Sequence, residues 1–150
     1  MKAKAWNVMK EAARVKQDAS ALRVARMIAQ QRELEQKLQL LLDYRDDYRR
    51  RLACAQAEGI HGERLRNYQQ FLANLQVAIE QQADINAAMQ KQLVTARASW
   101  AGERRKVDSY DILDQRQQKT AKASDQRRQQ ASHDEFAAIN FLKRTAEGSD

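Results

Sequence analysis

The sequence predicts an all-α protein, a long antiparallel two-helix coiled coil. Three observations lead there. The first is composition: among 150 residues there is no proline and only four glycines, while 31% are charged and 6% aromatic. Ala, Arg, Gln, Leu, Lys and Glu dominate, as they do in long helices. The second is a repeat of seven over residues 65–110. One series runs Leu65, Leu72, Ile79, Asn86, Leu93, Trp100, Val107, and the other Tyr68, Leu75, Gln82, Met89, Ala96, Glu103, Tyr110. Such spacing keeps one stripe of a helix against a partner helix. The third is a single strong break, Gly59-Ile60-His61-Gly62, with apolar positions mirrored across it.

The first helix is expected over residues 4–58. Its apolar pattern begins as Val8, Ala12, Val15, Ala19, Leu22, then slips in phase and continues as Val24, Met27, Leu34, Leu38, Leu41, Tyr48, Leu52, Ala55. A slip of this kind unwinds or overwinds a supercoil locally without ending the helix. The turn follows at residues 59–62, where Gly59 suits a left-handed helix C-cap. His61 has no cysteine, histidine or paired carboxylate at a useful spacing, and reads as an exposed loop residue.

The second helix is expected over residues 63–146. A loop this short makes the helices antiparallel neighbours. Mirrored about residues 60–61, Leu52 falls near Tyr68, Tyr48 near Leu72, Leu41 near Ile79, Met27 near Leu93, Leu22 near Trp100 and Val15 near Val107. Trp100 and Tyr110 then face an alanine-rich stretch, Ala12, Ala13, Ala19 and Ala21, and a large side chain needs small neighbours. The polar seam positions Asn86, Gln82 and Glu103 either fix the register or leave the seam wet there. From about residue 119 the second helix has no first helix left to pair with. This polar overhang adds about 40 Å if helical. Phe136, Ile139 and Leu142 form a short amphipathic stripe near its end, and residues 148–150 are expected to be disordered. A two-helix rod buries a seam and no sizeable core, which implies modest stability.

A two-stranded seam needs about two apolar positions per heptad. Near the turn there are more. Leu41, Tyr44 and Tyr48 are spaced by three and four, and the Lys37 stem extends the same face. On the other arm Phe71, Leu75, Ala78 and Gln82 are spaced by four, three and four. This second stripe either covers the edge of the hairpin or offers a patch to another protein, since aromatics are enriched at interface hot spots.

The net charge is +7. Such a balance admits nucleic acid, an anionic membrane or an acidic protein as partner. No zinc-ligand spacing, ribonucleoprotein motif or basic region ahead of a zipper points to nucleic acid. Acidic and basic residues are interspersed, as on a solvated helix surface. Cys54 is the only cysteine and cannot close an internal disulfide. Residues 1–10 lack the apolar segment of a secretory signal, and no apolar run suits a membrane span. The expected location is cytoplasmic. No phosphate loop or catalytic triad can be assembled. Asp43, Asp46 and Asp47 lie among Arg45, Arg49 and Arg50 at ion-pair spacing. A two-helix rod offers no pocket to tune a catalytic carboxylate, so neither enzyme activity nor a cofactor is expected.

The segments Leu42-Asp43-Tyr44-Arg45-Asp46-Asp47-Tyr48-Arg49, Glu58-Gly59-Ile60 and Asn67-Tyr68-Gln69-Gln70-Phe71-Leu72 resemble the FliJ family of the bacterial flagellar export apparatus. Ala78-Ile79 with Gln81, Trp100, and residues 113–117 continue the likeness, which spans roughly residues 35–118 and more weakly both ends. The resemblance implies a hairpin similar to the central stalk of rotary ATPases. It implies association with the hexameric flagellar export ATPase, whose central pore would admit the end bearing the chain termini. It further implies contact with the export gate membrane protein FlhA, binding of empty export chaperones, and a location at the inner face of the cell membrane near the flagellar basal body. The family's gate contact corresponds here to Lys37, Leu41, Tyr44, Tyr48, Phe71, Leu75, Ala78 and Gln82. Lys37 departs from a common glutamine, and Gln82 stands where histidine can occur. Leu75 and Gln82 also lie on the seam. The hairpin reading predicts a monomer or weak dimer. The competing classes are a stalk protein of a virulence-type secretion system, a homodimeric spacer that buries the second stripe between copies, and a basic nucleic-acid binder.

Overall fold

A computed structural model describes residues 2–148. Two helices account for nearly all of them, α1 (Lys2–Glu58) and α2 (Gly62–Glu147). They have 57 and 86 residues and pack against each other as an all-α hairpin. The helices persist because nothing in their interiors stops them: there is no proline, and apart from Gly62 at the start of α2, Gly102 is the only glycine in either one. By their packing the residues fall into two units, one ending at Arg104 and one beginning at Arg105.

The turn is three residues, 59–61, with Gly62 already the first residue of α2. Gly59 has φ +89°, a left-handed conformation that costs a residue with a Cβ about 1–2 kcal/mol. Its N–H donates to the Gln56 carbonyl at 3.3 Å, closing the end of α1. The Leu65 N–H donates to the His61 carbonyl at 3.0 Å and opens α2. Glu63 in the first turn of α2 suits the positive end of its dipole. His61 itself is exposed in the loop.

In the first unit the register is antiparallel about Ile60. Asn86 donates its side-chain N–H to the Leu34 carbonyl at 3.1 Å, and each of the two lies 26 residues from Ile60. Asn86 also accepts from Gln82 Nε2 at 2.9 Å. Both polar ends of this seam amide are therefore used, and one ties it to a single position of the opposite helix. This favours the register role over a merely wet seam.

The seam of α2 follows the predicted heptads. All fourteen positions from Leu65 to Tyr110 are buried or half-buried, with Leu75, Ile79, Leu93, Ala96 and Val107 buried. The seam of α1 corrects the expected phase slip. The shielded positions run Trp6, Lys10, Ala13, Gln17, Ser20, Val24, Met27, Gln31, Leu34, Leu38, Leu41, Arg45, Tyr48, Leu52, Ala55 in unbroken steps of four and three. Val8, Val15 and Leu22, expected on the seam, are exposed. A slip would break the supercoil shared with the regular stripe of α2. The helix instead keeps phase and accepts polar residues there. The expected alanine bed for the aromatics is corrected with it. Ala12, Ala19 and Ala21 are exposed and only Ala13 is buried. Mirroring about Ile60 puts Ser20, still a small residue, across from Trp100.

In the second unit Val107 is buried, while every described residue from 115 to 148 is exposed. Helix nevertheless continues to Glu147. Gly148 forms a turn, its N–H donating to the Arg144 carbonyl at 3.1 Å. The expectation of disorder at 149–150 falls outside the described residues.

Candidate protein-interaction site

The second stripe converges on one ring pair. Tyr48 of α1 stacks on Phe71 of α2, with centroids 4.1 Å apart and planes at 26°. The same ring meets Tyr68 edge-on at 6.1 Å and 61°. Helical spacing puts Tyr48 with Leu41, Tyr44 and Lys37, and Phe71 with Leu75, Ala78 and Gln82. The stack therefore joins the two arms of the stripe along one edge of the hairpin.

The eight positions differ in what they present. Lys37, Tyr44 and Phe71 are exposed, Tyr44 at 52% and Phe71 at 40%. Leu41, Tyr48, Ala78 and Gln82 are half-buried. Leu75 is buried in the seam, so it shapes the edge from beneath. Gln82 spends its amide N–H on Asn86.

Spacing alone missed the frame of this edge. Arg51 lies over the Tyr48 ring at 5.5 Å and also pairs with Asp47 at 3.1 Å. Arg64 lies over Tyr68 at 6.0 Å. With Asn67 these residues and the three rings line an open groove of about 250 Å³. Leu40, Asp43, Tyr44 and Asp47 line a second one of about 200 Å³. Gln39 holds Asp43 at 2.9 Å, and Arg45 pairs with Asp46 at 3.4 Å. The signal for Leu40 was its four-residue spacing from Tyr44, and for the arginines their place one turn from a tyrosine. An apolar centre ringed by charged groups is the anatomy of protein contact surfaces.

Among the described residues no group of three His, Cys, Asp or Glu could hold a metal ion, and no helix is long and apolar enough to cross a membrane. Cys54 is exposed.

Fold and edge together define a class, the helical-hairpin coiled coil with an aromatic margin beside its turn. Comparison with known proteins narrows it. The family model described as Flagellar FliJ protein matches residues 5–146. The chain is 30% identical over 133 residues to the Flagellar FliJ protein of Salmonella typhi, covering 89% of this chain and 90% of that one. It is 33% identical over 118 residues to the Flagellar FliJ protein of Escherichia coli (strain K12), covering 75% and 80%. The chain belongs to the FliJ family. Membership supports a role as a component of flagellar protein export.

Proposed function

We propose that the chain acts in flagellar export as a stalk. It binds the hexameric export ATPase ring, promotes ring assembly and turnover, and links the ring to the gate protein FlhA and to empty export chaperones. The observation that carries this reading is the aromatic edge joined by Tyr48 and Phe71. It lies on the positions that the family resemblance assigns to the gate contact. In this proposal Lys37, Tyr44 and Phe71 touch the gate. Leu41, Tyr48 and Ala78 form the margin, and Leu75 and Gln82 support it from the seam. Residues 119–150 belong to the ATPase contact. Binding the assembled ring in preference to free subunits shifts the subunits toward assembly. The protein acts from the cytoplasmic side, peripheral to the membrane.

The test is ATP turnover by the cognate export ATPase at a concentration where its hexamer is partial, with and without this chain. Higher turnover with more hexamer, weakened when residues 119–150 are deleted, is the expected result. No effect over a saturating range removes the activator role. Binding to the cytoplasmic part of FlhA tests the other half separately. Tyr44→Ala with Phe71→Ala is expected to reduce it at least tenfold, at unchanged far-UV helicity.

A further inference from the structure

Away from the aromatic edge, α1 carries another apolar stripe. Val8, Ala12, Val15, Ala19 and Leu22 are spaced by four, three, four and three, and all five are exposed, with Val8 at 63% and Val15 at 59%. At about 100° per residue the stripe points about 150° away from Ala13, Gln17, Ser20 and Val24, the seam of the same stretch. The hairpin's own packing thus leaves it uncovered. In heptad terms Ala12 and Ala19 are a positions, and Val8, Val15 and Leu22 are d positions. Two acids, Glu11 and Asp18, then occupy g, and two bases, Lys16 and Arg23, occupy e; all four are exposed.

That charge order selects both occupant and direction. In a parallel pair of helices each g residue meets the e residue five positions on in its neighbour. Glu11 then meets Lys16 of a second copy, and Asp18 meets Arg23, with the reciprocal pairs on the other side. In an antiparallel pair g faces g and e faces e, which would set Glu11 against Asp18. We propose that this outer face of α1 binds a second copy of this chain, parallel and in register. Arg26 occupies the next a position and ends the stripe. Five apolar positions, two of them alanine, bury little area, so the association is weak and concentration-dependent.

Sedimentation equilibrium of the full chain across a concentration series tests this. The mass is expected to rise toward twice the monomer's. Glu11→Lys with Asp18→Lys is expected to weaken association about tenfold, as is Lys16→Glu with Arg23→Glu. Mixing the two variants is expected to restore it. In a Cys54→Ala background, Leu22→Cys is expected to form a disulfide-linked dimer under mild oxidation, because only the parallel register sets Leu22 against itself. A constant monomer mass, or a dimer indifferent to charge reversal, overturns the proposal. So does a Leu22→Cys chain that dimerises without crosslinking.

Discussion

At the scale of single residues, stability is concentrated at a few seam positions. Leu93 is 3% exposed and its neighbour Val94 is 63% exposed. Leu93→Ala is expected to cost about 2–3 kcal/mol in chemical denaturation, and Val94→Ala less than about 0.5 kcal/mol. Asn86 trades stability for register. Asn86→Leu is expected to raise the thermal midpoint while giving more than one sedimenting species, because the bond to the Leu34 carbonyl no longer selects one pairing. Phe71 has two duties. Its stack on Tyr48 implies that Phe71→Ala alone loses about 1 kcal/mol of stability, whereas exposed Tyr44→Ala is expected to lose little. Denaturation of the two single variants separates the duties. The stripe itself was legible as three-and-four spacing. That Tyr48 would join its arms was not, since the choice of ring partner depends on the offset between helices, and a one-residue change of turn centre alters it.

At the scale of the element, the paired part of the second helix, residues 65–110, was legible because eleven of its fourteen seam positions are apolar or aromatic. The first half of α1 was not. Two stripes there share heptad spacing, and the outer one, Val8 to Leu22, is the more apolar. Periodicity names candidate faces, but only the partner's phase decides between them. The continuous stripe of α2 forced the choice of Lys10, Gln17 and Ser20. The two glycines of interest behave oppositely. Gly59→Ala is expected to lose about 1 kcal/mol, since its φ is positive. Gly102→Ala is expected to gain up to about 1 kcal/mol, because a Cβ there meets no atom within 4 Å and alanine is the better helix former. Thermal melts of the two variants should move in opposite directions.

At the scale of the molecule, protection from solvent is uneven along the chain. Residues 115–148 contain no buried position, so their helix opens without exposing a core. Limited trypsin digestion is expected to cut first at Arg116, Lys119, Lys122, Arg127 or Arg128, before any site between Leu34 and Leu93. Composition announced this polar segment, and the expected second helix over residues 63–146 already contained it. What composition did not decide was whether so polar a stretch keeps its helix unpaired, since that depends on weak propensities summed over many residues. The register about Ile60 has a further consequence for synthesis. A residue of α1 meets its counterpart only after an equal length of chain beyond Ile60 has been made. Leu52 waits for 16 residues, to Tyr68, and Ser20 for 80, to Trp100. Chains emerge N-terminus first at about 5–20 residues per second, so the earliest part of α1 stands alone for seconds longer than the part beside the turn. Its inner face is also the most polar stretch of that seam, with Lys10, Gln17 and Ser20. The segment that waits longest for its partner thus carries the seam least prone to stick to anything else meanwhile.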